Sequence, residues 1–255
     1  MKNLFYVATL ALFFMSCKQE KTLILHEDFS GDTLDTSVWS FALGDGCPQA
    51  CGWGNNELQV YTDNNHHLED GKLIITAKQD TSGYTATRIN TKGKFEFQYG
   101  TVEMKAKLPA GKGTWPAFWL LGSNIDQVGW PACGEVDIME YAGREPGIIH
   151  TSMHTPSSYG RTVNTEKNMI PNIEEGFHTY TANWTPEAIT FSIDGKKVYT
   201  YAPEVKNAET WPYDQPFYIL LNLAVGGTFG GTEIDNSIFP VTYEIDYVKV
   251  WEYQN

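Results

Sequence analysis

From Leu23 onward the chain alternates between short runs with a two-residue apolar period and clusters of Gly, Pro, Asn and Asp, and no 3.6-residue apolar period persists. That pattern excludes a helical bundle and requires many short strands. Strand-like runs fall at 72–78, 94–108 with a break at Gly100, 179–184, 188–193, 217–223 and 243–252. Between the runs 179–193 and the next lies Ile193-Asp194-Gly195-Lys196, an Asp-Gly pair able to adopt the positive φ of a tight hairpin. A single open sheet of so many strands would curl or split, so the expected fold is all-β, a two-sheet antiparallel sandwich. No linker, repeat or low-complexity run divides it, and one domain is expected.

The N-terminus is read separately. Met1-Lys2-Asn3 precedes an apolar stretch over 4–15, then Ser16-Cys17 and the polar run 18–21. Twelve apolar residues are too few to span a bilayer, and the pattern is that of an export signal. A small residue directly before Cys17 resembles a bacterial lipoprotein cleavage site. The expectation is a signal peptide over 1–16 cut before Cys17, a lipid on that thiol, a short tether over 17–24 and a domain over 25–253. The protein would then be exported and held at the outer membrane or cell surface by its lipid anchor, or otherwise be periplasmic or secreted. Cys47, Cys51 and Cys133 remain, an odd number in an oxidising compartment, so at most one internal disulfide forms. Any of the three pairings is open, and no His and Cys spacing reads as a zinc site.

Charge narrows the partners. Eighteen Lys and Arg against 31 Asp and Glu give a net charge of −13, which removes the attraction that nucleic-acid binding requires. Eight Trp, 14 Tyr and 13 Phe suit either a β core or the apolar faces of sugar rings.

The chemistry concentrates in Glu135-Val136-Asp137-Ile138-Met139-Glu140. On a regular strand Glu135 and Asp137 share a face and Glu140 falls on the other, one residue out of step. A bulge near Met139 would return Glu140 to the face of the other two acids, and bulges are favoured where a side chain must be re-aimed. The two Glu Cα atoms would then lie about 13 Å apart, and inward-leaning side chains of about 4 Å each bring the carboxyls within about 5 Å, the spacing of a retaining glycosidase. In such a site one carboxylate attacks the anomeric carbon while the other protonates the departing oxygen and then deprotonates water. Three crowded acids cannot all ionise easily, so at least one pKa rises, as a general acid needs.

Around this strand stand Gly52-Trp53-Gly54-Asn55-Asn56-Glu57-Leu58-Gln59, the run 114–122 (TWPAFWLLG), Gly129-Trp130-Pro131, 216–227 (PFYILLNLAVGG) and 245–250 (IDYVKV). In this order they resemble glycoside hydrolase family 16, and within it the bacterial laminarinase-like endo-β-1,3-glucanases. The resemblance implies a concanavalin A-like jelly-roll sandwich with an open concave substrate cleft, and a monomeric enzyme cutting β-1,3-glucan internally with retention. It makes Glu135 the nucleophile, Glu140 the acid/base and Asp137 the partner of the nucleophile, with Met139 as the inserted residue. Trp115, Trp119 and Trp130 match sugar-stacking positions, while Phe118, alternating with the Trp pair, is left to the core. Asn56 and Arg88 match positions that bind glucose hydroxyls in the negative subsites, and Glu57 would orient one of these or line the cleft. His154 matches a site neighbour near the acid/base.

No cofactor is expected for catalysis. The resemblance also implies a structural Ca²⁺ away from the cleft, held by Glu27, the Gly71 carbonyl and Asp246, since hard oxygen donors suit that ion. Other readings keep the fold and change the substrate, to mixed-linkage glucan or an agarose-type galactan, or drop catalysis for glucan binding. Sulfated galactans would favour a basic cleft, which a chain of this charge does not advertise. Non-catalytic relatives lose one or both Glu, and both are present here.

Overall fold

A computed structural model describes residues 20–254. The segment expected as a signal peptide, 1–16, and Cys17 lie outside the described residues. Two sheets face each other. The first has ten strands, in the order Lys196–Tyr201, Ile189–Ile193, His178–Trp184, Gly100–Lys107, Val241–Tyr253, Lys72–Asp80, Gly83–Ala86 and Gln59–Tyr61, with Lys21–Glu27 also on Val241–Tyr253 and His66–Glu69 on Lys72–Asp80. The second has seven: Thr165–Met169, Ile148–His154, Glu135–Tyr141, Thr114–Gly122, Phe217–Val225, Arg88–Asn90 and Ser40–Phe41. Pairing is antiparallel except between Gln59–Tyr61 and Gly83–Ala86, which run parallel. Helix is confined to single turns such as Ile125–Val128 and Gly227–Gly230.

The strands follow the apolar period, with two adjustments. The run 94–108 is a strand only over Gly100–Lys107; its first half reaches the second sheet through an isolated bridge from Phe97 to Phe217. At Gly100 the reason is steric, since φ is +124° and an added Cβ would strike the Trp251 carbonyl oxygen at 2.1 Å. Part of the stretch expected as a tether over 17–24 is strand, because Lys21–Glu27 pairs with the last strand, Lys21 opposite Tyr253. Alternation in KTLILHE was enough for an edge strand once a partner edge was available. The Asp194-Gly195 hairpin forms as expected, with φ of 50° and 72° and Ile193 paired to Lys196.

Inward-facing side chains of both sheets make one core, including Phe118, Leu120, Val136 and Ile219 from one and Met104, Tyr180, Ile245 and Val250 from the other. Phe118 is fully buried, as its alternation with the Trp pair requires. Burying a Phe or Leu of this kind contributes about 1.5–3 kcal/mol, so the core fixes which face of each strand is left for function. On Phe217–Val225 even the outer face is covered, where Tyr218 and Leu220 pack with Leu121 and Cys133. The disulfide joins Cys47 to Cys51, leaving Cys133 a buried free thiol.

Candidate active site

The outer face of the seven-stranded sheet carries the acids. Against Thr114–Gly122 the register steps by one residue between Asp137 and Met139, and against Ile148–His154 between Asp137 and Glu140. The bulge is therefore present, but the residue skipped by the neighbouring strand is Ile138 rather than Met139. Both side chains are buried in the core in succession, at 1% and 0% exposure, and it is this pair that turns Glu140 to the side of Glu135 and Asp137.

Each acid has a distinct setting. Glu140 accepts a hydrogen bond from the Trp115 indole, Nε1 to Oε1 3.0 Å. Behind Trp115 stand Phe229, 5.1 Å away between ring centres, and His150, whose ring is edge-on to Phe229 at 4.8 Å. His154 Nδ1 accepts from the backbone N–H of Gly160 at 3.1 Å, which places the ring proton of the neutral imidazole on Nε2. That nitrogen lies 3.6 Å from Glu135 Oε1 and 3.0 Å from Asp137 Oδ2. The shorter contact is not aligned as a hydrogen bond, and Asp137 Oδ2 is left buried without a donor. An orphaned buried carboxylate oxygen is costly, and a proton on it removes the cost.

Electrostatics agrees with that assignment. Burial pushes all three acids far above the usual carboxylate range, each to about 8. For Glu135 the Asp137 and Glu140 charges add to the rise, while His154 and Trp130 pull the other way. Three such groups lose their protons as a coupled set. Near neutral pH the cluster holds fewer than three charges, and the unpartnered Asp137 Oδ2 is one place for a retained proton.

Beside the acids a polar chain runs under the trough. Trp119 Nε1 donates to Asn222 Oδ1 at 2.8 Å, Asn222 Nδ2 donates to Tyr61 Oη at 3.2 Å, and Tyr61 donates to Glu57 Oε2 at 3.2 Å. Glu57 also accepts from Asn55 Nδ2 and Gln59 Nε2. Its loop is clamped onto the turn at 226–230, where Thr228 N donates to the Asn55 carbonyl and an added Cβ on Gly227 would stand 2.9 Å from that oxygen. Glu57 thus organises the wall of the trough. Arg88 lies between two indoles, its Cζ 4.5 Å from the Trp53 ring centre and 4.8 Å from Trp119. Its buried Nε has no hydrogen-bond partner.

Of the expected residues, Glu135, Asp137, Glu140, Trp115, Trp119, Trp130, His154, Arg88 and Glu57 come together on or beside this face. Asn56 is an exposed residue at φ 57° in the same loop as Glu57, and the amide that reaches Glu57 belongs to Asn55. Trp53, Phe229, Asn222 and Tyr61 were not singled out as site residues. Trp53 sits inside the quoted Gly52–Gln59 motif and could have been found there; Phe229 and Asn222 reach the site only through the fold.

The positions expected to bind calcium lie elsewhere, on or beside the ten-stranded sheet. Glu27 pairs with Val248, Leu73 with Ile245, and Gly71 lies beside Asp28. Their carboxylates already have partners. Glu27 accepts from Phe29 N and Trp39 Nε1, and Asp246 Oδ2 is 2.7 Å from Lys105 Nζ.

Residues 51–249 match the family described as Glycosyl hydrolases family 16. The chain is 37% identical to the glucan endo-1,3-beta-glucosidase A1 of Niallia circulans over 91% of its own length, though it spans only 38% of that larger protein. It is 37% identical to a beta-glucanase of Rhodothermus marinus, covering 89% of this chain and 82% of that one. The crystal structure of the laminarinase from Flavobacterium sp. UMI-01 superposes with a TM-score of 0.89 at 56% identity, covering 91% of this chain and all of that one. With a sandwich of this topology, a bulged strand carrying three acids and a match across most of its length, the chain belongs to family 16 of the glycosyl hydrolases.

Proposed function

We propose that this chain hydrolyses β-1,3-glucosidic bonds within laminarin-type glucan by double displacement. The observation that carries the proposal is the bulge at Ile138, which sets Glu140 beside Glu135 and against Trp115. Glu135 attacks the anomeric carbon as Glu140 gives its proton to the glycosidic oxygen, and the bond breaks to leave a glycosyl ester on Glu135. Water then attacks the same carbon, its proton passes to Glu140, and the ester oxygen departs with Glu135. Asp137 holds a proton towards the nucleophile while His154 fixes the pair from the neighbouring strand. Arg88, held between Trp53 and Trp119, binds the donor sugars. Relatives whose names specify 1,3-β-glucan or laminarin support the substrate.

Purified protein is expected to release reducing sugar from laminarin faster than from mixed-linkage glucan or agarose, with the β-anomer appearing first by NMR. An initial α-anomer would overturn the retaining assignment, and preference for another polysaccharide would move the substrate to that polymer.

Three further proposals concern the setting. Glu27, Gly71 and Asp246 bind Ca²⁺ once Lys105 swings away from Asp246, and the ion ties the chain ends to the sheet. Glu135, Asp137 and His154 also offer donor atoms within 4.8 Å of one another, but their task here is proton handling. A chelator is therefore expected to lower Tm while leaving kcat at a permissive temperature unchanged; loss of kcat would point to a metal among the acids. The protein is exported as a lipoprotein through Cys17 and acts as a monomer, which lipid labelling of the intact chain against Cys17→Ser and sedimentation of the released domain would test.

A further inference from the structure

On the flank of the acids away from Arg88, the 155–163 loop presents a second aromatic that the reading above does not use. Tyr159 is 53% exposed and meets Trp130, 44% exposed, edge to face at 5.3 Å. Trp130 in turn lies 5.9 Å from the ring of His154, the side chain that faces Glu135 and Asp137. The loop is internally tied. Thr155 and Ser158 exchange backbone hydrogen bonds, Thr162 Oγ1 donates to the Met153 carbonyl, and Ser157 N donates to the Glu209 carbonyl. Two large aromatic faces are thus held at fixed angles in water beside a catalytic cluster, and covering them with an apolar sugar face is favourable.

We propose that Tyr159 is a specificity-determining residue that, together with Trp130, forms the platform for the glucosyl unit on the leaving-group side, the same place that receives a sugar acceptor in transglycosylation. The proposal rests on the β-glucanase reading and deepens it. Strand order supplies the direction. On one side of Glu135–Tyr141 lie Thr114–Gly122, Phe217–Val225 and Arg88–Asn90; on the other lie Ile148–His154 and Thr165–Met169. A glucan whose donor sugars sit at Arg88 crosses the acids and leaves over the His154 flank, where Tyr159 stands. Gly160, the residue after Tyr159, donates the hydrogen bond that sets the His154 tautomer, so the platform is built in register with the acids.

The test uses β-laminaribiosyl fluoride as donor and laminaribiose as acceptor. Fluoride departs and the disaccharide is left as an ester on Glu135; either water or an acceptor hydroxyl then attacks the anomeric carbon, giving its proton to Glu140 as the ester bond breaks. Both products come from one intermediate, so their ratio does not depend on how much of a variant is folded. Tyr159→Ala is expected to lower the transfer-to-hydrolysis ratio about three- to tenfold, the worth of one aromatic contact, and to raise KM for laminarin by a similar factor. Tyr159→Phe, which keeps the ring, should restore the ratio to within about twofold of the parent. A ratio and a laminarin KM that both stay at the parent values in Tyr159→Ala overturn the platform alone. Failure of the parent enzyme to release fluoride overturns the glucanase reading and the platform with it.

Discussion

Replacing Glu135 by alanine is expected to lower kcat on laminarin by at least about 10⁴-fold while changing glucan affinity by less than about threefold. In the proposed mechanism the ester intermediate cannot form without that carboxylate, whereas Arg88 between its two indoles, proposed above to bind the donor sugars, and the Trp119–Asn222–Tyr61–Glu57 chain beside it are untouched. Affinity would be read by isothermal titration with an oligosaccharide, and a parallel loss of binding would recast Glu135 as a substrate-holding residue. Stereochemistry gives a sharper check. Azide supplied to Glu135→Ala with β-laminaribiosyl fluoride occupies the vacated space and attacks directly, so one displacement gives the α-azide. In Glu140→Ala the ester on Glu135 still forms, and azide opening it gives the β-azide after two displacements. The opposite pairing of products would exchange the roles of the two acids.

That the acids share a face was legible before any coordinates, because the apolar period breaks once within 135–140 and a bulge is the cheapest repair. The position of the extra residue was not legible to one place. Ile138 and Met139 are both apolar and both buried, and only the register against Thr114–Gly122 shows which is skipped. Cysteine pairing was closed to sequence for a similar reason, since all three pairings satisfy the count and distance alone selects Cys47 with Cys51. Residues brought in by long-range contact left no local trace. Phe229 arrives through the Gly227 turn docking on Asn55, and Asn222 is one polar position in an otherwise apolar strand-like run. Adjacent amides were also confusable: Asn55 and Asn56 are identical in type, and only the folded chain shows that the one bonded to Glu57 is Asn55.

Removing the acid/base should produce the second large effect, and its pattern across substrates and pH is diagnostic. Glu140→Ala is expected to lower kcat on laminarin by about 10²–10⁴-fold, because both protonation of the leaving oxygen and deprotonation of water depend on it. Fluoride needs no proton to depart, so with β-laminaribiosyl fluoride the first step survives and the ester accumulates as a burst. In the parent enzyme burial holds Glu140 at about 8, so the alkaline limb of kcat/KM on laminarin should lie near there and disappear from the burst phase of the variant. The same shift makes a statement about stability. A carboxyl raised from 4.5 to about 8 keeps its proton in the folded chain where the unfolded chain has lost it. Its contribution is complete below pH 4.5 and is lost as pH rises through 8. Glu140→Gln, neutral throughout, should therefore match the parent in Tm at pH 4 and exceed it at pH 9, the gap opening as pH rises from 4.5 through 8. A constant difference across that range would mean that Glu140 is not held protonated by its surroundings, and the acid/base role would have to pass to another group.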